Sequence, residues 1–198
     1  MIKSLTVPLL ISLVTFFPQL AYAGQKVTPD MIYQISANAG LTEILPKDSR
    51  DLKGCATTPQ YKNAGLGRGD YVALFMCPRF ENGEVSVLGV EVYNTPNNQV
   101  LQERLGKAGL IFSNYAMANG SSQEQSQLLL QAIANTIEEV IVQEKGKVEE
   151  TRYGFTRVLI YDFTDIKYRV VVVGGYITKN PGGFNGHNST NITIGPLD

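Results

Sequence analysis

Apolar and polar residues alternate with different periods along the chain, and these periods predict both helices and strands. In residues 29–39, Ile32 and Ile35 lie on one helical face. Thr28 is a suitable N-cap for this segment, and Gly40 is typical of the position just after a helix. We therefore predict a first helix over residues 29–39.

Two β-prone runs on either side of Asn82-Gly83 predict a β-hairpin over about residues 70–93. The dipeptide is typical of a two-residue turn of type I′. A regular ladder from this turn places Leu74 opposite Glu91, which is the one mismatch of an apolar with a charged residue in the hairpin.

The segment after this hairpin is less regular. Thr95-Pro96 is typical of a helix start, so we predict a short helix that reaches about Leu105 and is ended by Gly106. The short apolar run over residues 110–112 predicts a strand.

The longest periodic segment predicts a helix over about residues 122–145, which Gly146 ends. Ser121 and Glu124 have the spacing of a capping box at its start. Its apolar residues follow one face and Gln and Glu follow the other, so we expect the helix to pack on a sheet. The apolar stripe consists of Leu129, Ile133, Ile137, Val140 and Ile141.

A second hairpin is predicted over about residues 152–178, with a two-residue turn at Thr164-Asp165. This register pairs aromatic and branched residues on one face. On the other face it places Asp162 opposite Lys167, a pair of opposite charges.

The end of the second hairpin and the following tail complete the predicted fold. Residues 170–173 are all valine, which predicts a central strand covered on both faces. From about residue 180 the chain is rich in Gly and Asn, and it is predicted as a loop with a short strand at residues 191–194. We expect an α+β fold: an antiparallel sheet of two hairpins, packed by the long helix and by shorter helices.

Residues 1–23 have the pattern of a signal peptide. Lys3 supplies a positive start, an apolar run follows over residues 5–17, and Ala21-Tyr22-Ala23 fits the cleavage site. The apolar run is shorter than the roughly 20 residues that span a bilayer, so no transmembrane anchor is expected. We predict that residues 24–198 form a single α+β domain, exported to the periplasm or beyond the cell.

Export gives the two cysteines a structural interpretation. Disulfides persist in oxidising compartments, so we expect Cys55 and Cys77 to be bonded to each other. Closing the loop between them should stabilise the fold by about 3 kcal/mol in the chain-entropy model.

Charge and motifs exclude several classes of function. The chain has 17 basic and 18 acidic residues, without the basic excess that nucleic-acid binding requires. Its single histidine, His187, stands in a Gly- and Asn-rich segment that offers nothing to orient it. We find no motif for a cofactor or a metal, and we assign no catalytic residue.

Four charged residues are candidates for contact with a ligand or partner. Arg68 and Asp70 belong to a glycine-rich stretch that contains an Arg-Gly-Asp tripeptide, a sequence that some adhesion receptors bind. Glu91 and Arg157 interrupt apolar strand faces, and the predicted register places Arg157 opposite Val172. These two could form a buried ion pair between the hairpins, or each could lie at a sheet margin where its charge reaches water.

These observations favour a non-enzymatic binding protein that is exported to the periplasm. It would bind a protein partner, as an inhibitor or immunity-type partner of an envelope or secreted enzyme does. The alternative is a small hydrolase acting on glycans or peptidoglycan through paired carboxylates, and the oligomeric state is left open. The carboxylates available for it are Glu91, Glu149, Glu150 and Asp162.

Overall fold

The computed structural model describes residues 26–45, 54–57, 74–93, 98–151, 154–176 and 189–197. The predicted signal peptide, Arg68, Asp70 and His187 lie outside these ranges. The described helices are α1 (Pro29–Asn38), α2 (Asn98–Ala118) and α3 (Gln123–Ile141). The described strands are β1 (Glu43–Ile44), β2 (Ala56–Thr57), β3 (Leu74–Glu81), β4 (Glu84–Tyr93), β5 (Lys147–Thr151), β6 (Gly154–Phe163), β7 (Tyr168–Tyr176) and β8 (Ser189–Pro196).

All eight strands belong to one antiparallel sheet, which confirms the predicted α+β class. Its order is β1-β2-β3-β4-β8-β7-β6-β5, so β8 lies between the two hairpins and pairs with both. The short strand predicted at residues 191–194 is confirmed, and the prediction of a loop is wrong for the residues on either side of it, 189–190 and 195–196. Thr190, Ile192 and Ile194 are buried at strand spacing because they lie on the face of the sheet that the helices cover.

The β3–β4 hairpin has the predicted turn but a different register beyond it. Asn82 and Gly83 both have positive φ, as a type I′ turn requires. A β-bulge next to Arg79 then shifts the pairing by one residue, so Leu74 is opposite Val92 and not Glu91. The bulge thereby moves Glu91 from Leu74 to Phe75, so the charged residue is still opposite an apolar one.

The β6–β7 hairpin turns through four residues, 164–167, and not through two. Lys167 has positive φ and donates its backbone N–H to the Thr164 carbonyl at 3.2 Å. The partners shift by two positions, which keeps each side chain on its predicted face. Asp162 is consequently opposite Arg169, so the predicted pairing with Lys167 is wrong.

Helix α2 continues through the predicted stop at Gly106 and through the predicted strand at residues 110–112, so both predictions are wrong. The reason is packing, because Ala108, Ile111 and Tyr115 are buried at helical spacing in the main core.

Helix α1 is confirmed almost residue for residue, with Thr28 as its N-cap. Helix α3 is confirmed, but it begins one residue later and ends four residues earlier than predicted. Its capping box is formed by Ser122 and Gln125, one position after the predicted pair, and its last residue is Ile141. None of the described helices is both long and apolar enough to cross a membrane.

The helices cover one face of the sheet. This helix-side face carries Val90, Val170 and Ile192, all fully buried. The opposite face, called the outer face here, carries the alternate residues of the same strands, among them Val171 and Val173. Val171 and Val173 are only half-buried. The strand was predicted to be covered on both sides, but only its helix-side residues are fully buried.

Candidate functional site

The predicted disulfide is present at one end of the sheet. Cys55, the residue just before β2, is bonded to Cys77 of β3. Beside the bond, Leu45 and Phe75 form a small buried cluster of their own. We call β1 and β2, with this disulfide, the stapled edge.

The structure does not bring Glu91 and Arg157 together. Glu91 is half-buried on the outer face of β4, opposite Phe75 and Asn191. Arg157 is on the helix-side face of β6. Strands β8 and β7 separate β4 from β6, a distance of about 14 Å at ordinary strand spacing.

Arg157 instead binds the connection between α3 and β5. Its Nη1 donates a hydrogen bond to the backbone carbonyl of Glu144, and its Nη2 lies 3.4 Å from the carboxylate of the same residue. The Arg157 side chain is only 21% exposed. A guanidinium held in this way fixes the turn after a helix, where backbone carbonyls have no partner within the helix.

Two glycines make this contact possible. Gly174 is directly opposite Arg157, and a Cβ there would lie 2.8 Å from Ile141 Cδ1 and 2.9 Å from Val140 Cγ1. Its absence lets the end of α3 approach the sheet closely enough for Arg157 to reach Glu144. Gly146 has a φ of 108°, and a Cβ there would collide with the Val158 carbonyl.

Four large apolar or aromatic side chains are exposed at the end of α3 and along β5 and β6. Val142 is 55% exposed, Val148 53%, Phe155 41% and Tyr161 38%. Val148 is directly opposite Arg157, while Phe155 and Tyr161 lie on the same face of β6. We call these four residues the open-edge surface, because β5 is the last strand of the described sheet at this end.

The open-edge surface lies in an acidic part of the chain. Residues 138–150 contain five glutamates and two lysines. The Tyr161 hydroxyl donates to the Glu139 carboxylate at 2.6 Å, and this bond lowers the pKa of Glu139 and raises the pKa of Tyr161. Lys145 lies 3.4 Å from the same carboxylate. The carboxylate therefore stays charged at neutral pH.

The four candidate carboxylates for hydrolysis are spread over the sheet. Asp162 accepts two hydrogen bonds from Arg169, at 2.6 and 2.8 Å, which lower its pKa and keep it from serving as a general acid. Glu149 is opposite Thr156, six residues or about 20 Å along β6 from Asp162. A glycosidase pair requires roughly 5–10 Å.

The remaining carboxylates do not supply a pair either. Glu150 is next to Glu149 in β5 but on the other face, and Glu91 is three strands away from β6. Within the described ranges there is also no group of three His, Cys, Asp or Glu side chains that could hold a metal ion.

None of the four residues of the open-edge surface was singled out as a candidate from the sequence. Only the neighbouring Arg157 was. Residues 147–151 alternate only weakly, so β5 is not predicted, and Val148 and Phe155 then have no assigned face. The usable signal was Arg157 itself, because a charge within an apolar strand face needs a partner nearby.

Comparisons of the chain with protein-family models, with curated proteins and with solved structures find no match.

Proposed function

We propose that this protein is an exported, non-enzymatic binding module of the periplasm that contacts a protein partner through its open-edge surface. The partner would be an envelope or secreted enzyme, which the bound module inhibits. One observation carries the proposal: Val142, Val148, Phe155 and Tyr161 are exposed at the end of α3 and on the helix-side face of β5 and β6. Exposed apolar and aromatic side chains on one side of a sheet edge are typical of protein interfaces.

The surroundings of this surface favour a partner of particular chemistry. Phe155 and Tyr161 are aromatic anchors of the kind that contribute most to binding energy. The five glutamates of residues 138–150 would meet a basic rim on the partner. Arg157 has a positioning role here, since it holds the α3–β5 turn that presents Val142 and Val148.

Two observations support export. The Cys55–Cys77 bond is of a kind that persists in oxidising compartments. Residues 1–23 have the sequence pattern of a cleaved signal peptide.

Site-specific photocross-linking tests the proposed surface. Phe155 would be replaced by p-benzoylphenylalanine in the full chain, with the same replacement at Ile44 as control, because Ile44 is also exposed but lies at the stapled edge. We expect one discrete protein adduct from envelope extract at position 155 and none at position 44. Equal labelling at both positions, or none at either, would overturn the proposed surface.

The captured protein would then be purified and titrated with the unmodified module. We expect one-to-one binding that Val148→Asp weakens at least tenfold and Ile44→Asp leaves unchanged, because the charge is placed inside the interface only at position 148. Turnover of peptidoglycan or glycans by the purified module alone would favour the hydrolase alternative instead.

A further inference from the structure

Strand β5 pairs with β6 on one side, and no strand within the described ranges pairs with its other side. Residues 147–150 are all exposed. An edge of this kind presents backbone N–H and C=O groups to any other strand that can align with it.

The side chains of β5 divide by face in a simple way. Lys147 and Glu149 lie on the outer face, opposite Val158 and Thr156 of β6. Val148 lies on the helix-side face, opposite Arg157. Lys147 and Glu149 form an exposed ion pair at 2.9 Å within the strand. Such a pair adds little to stability, so its charges can be redirected at small cost.

Charges on an edge strand usually prevent pairing. The order Lys147-Val148-Glu149 has a different property, because it is complementary to its own antiparallel copy. Two copies related by a two-fold axis perpendicular to the sheet keep their faces aligned. The axis then passes midway between the two copies of one β5 residue, which lie directly opposite each other.

Among axis positions at residues 147–150, only one avoids like charges directly opposite each other. With the axis at Glu149 or at Glu150, that glutamate is opposite itself, and with the axis at Lys147 two lysines are opposed. With the axis at Val148, each Lys147 is opposite Glu149 of the second copy, and the two Val148 side chains are opposite each other.

We propose that β5 is a self-association strand: two copies of this chain pair through antiparallel β5 strands, with the two-fold axis at Val148. The result is one continuous sheet across both copies. Both open-edge surfaces then lie on the same side of it, one on each side of the axis. The self-association uses the strand edge and does not depend on the proposed function of that surface.

Charge reversal tests the self-association. Sedimentation equilibrium of the full chain should detect a reversible dimer. Lys147→Glu and Glu149→Lys should each raise the dimer dissociation constant at least about tenfold, because each places two like-charge pairs across the axis. The double variant restores both attractive pairs and should dimerise like the wild type. A mixture of the two single variants should form a mixed dimer for the same reason.

A wild type that stays monomeric at every concentration overturns the proposal. So does a dimer that neither single variant weakens. Thermal melts of each variant show whether its fold is intact, and exposed charge reversals at β5 should leave the melting temperature within a few degrees of wild type.

Cysteine cross-linking tests the register. Both native cysteines are bonded to each other, so an added thiol is the only free one. Val148→Cys places two thiols directly opposite each other across the axis, and oxidation should give a covalent dimer. Glu150→Cys, the control, lies two residues from the axis in each copy and should give no covalent dimer. Cross-linking at 150 and not at 148 would contradict this register.

The self-association and the proposed function fail separately. A monomeric chain that still gives the Phe155 adduct would overturn only the β5 pairing. A charge-dependent dimer without any partner adduct would overturn only the proposed function.

Discussion

The two ends of the sheet are held in different ways. At the stapled edge, β1 and β2 are two residues long each and are joined to β3 by the Cys55–Cys77 bond. At the open edge, β5 is five residues long and is held by its ladder with β6 and by the contact of Arg157 with Glu144.

Length and burial explain the difference. Two-residue strands form too few ladder hydrogen bonds to hold an edge, so the covalent bond and the buried Leu45 and Phe75 compensate. A five-residue strand clamped at its start needs no such cover. Its side chains can remain exposed, as an interaction surface requires.

Removing the disulfide should have the largest effect. The bond joins residues 22 positions apart, and replacing both cysteines by alanine should lower the free energy of unfolding by about 3 kcal/mol. Urea denaturation measures this loss. Hydrogen exchange should accelerate in β1 and β2 while exchange in β5 stays as in the wild type. A loss below about 1 kcal/mol would mean that packing alone holds the stapled edge.

Arg157→Met should have the next largest effect on the free energy of unfolding. Its effect on hydrogen exchange should fall at the open edge and not at the stapled edge. It preserves most of the buried apolar stem but removes the charge-assisted bond to the Glu144 carbonyl, and we expect a loss of about 2 kcal/mol. Exchange should accelerate in residues 142–151 and not in β1 or β2. A melting temperature equal to that of the wild type would show that Arg157 does not clamp the open edge.

A buried tyrosine in the core between the two edges should make the stability of the protein depend on pH. Burial, followed by the neighbouring Tyr168, raises the pKa of Tyr115 from 10.0 to about 12, and its hydroxyl donates to the Val85 carbonyl. The unfolded state then loses this proton first as the pH rises. The contribution of Tyr115 to stability is complete below pH 10 and falls between pH 10 and about 12.

At pH 11 the stability contributed by Tyr115 should be lower by about 1.4 kcal/mol than at pH 9. Urea denaturation of wild type and Tyr115→Phe at both pH values measures it. The wild type should lose more stability than the variant between these values. Equal losses in both proteins would show that another group causes the alkaline destabilisation.

Glu144→Gln should have the smallest effect and serves as the control for Arg157→Met. It keeps the backbone carbonyl that Arg157 binds and changes only a carboxylate in a side chain that is 69% exposed. Exposed ion pairs contribute little, so we expect a loss below about 0.5 kcal/mol by urea denaturation. A loss as large as that of Arg157→Met would assign the clamp to the ion pair and not to the carbonyl.

Local signals predicted the parts of the fold that depend on local chemistry. Thr28 caps α1, and Asn82-Gly83 forms the turn between β3 and β4, because each signal depends only on residues a few positions away in sequence. The disulfide followed from the cysteine count and the predicted export. The extension of α2 through Gly106 could not be predicted in this way, because burial against the sheet outweighs the weak helix propensity of glycine.

The candidate site was less predictable for a related reason. Strand β8 has a polar sequence, and its isoleucines are buried because they lie on the helix-side face of the assembled sheet. Arg157 was singled out as an unusual charge on a strand, but its partner depends on where α3 ends and on how closely Gly174 lets α3 approach the sheet. The end of α3 and its distance from the sheet are both properties of the assembled fold.

Hydrogen–deuterium exchange at increasing protein concentration tests most directly whether the open edge is the interacting one. If β5 pairs with a second copy, amides of residues 147–151 should become more protected as the concentration rises, while amides of β1 and β2 should not change. Protection of β5 that is independent of concentration, or concentration-dependent protection at the stapled edge, would contradict this account.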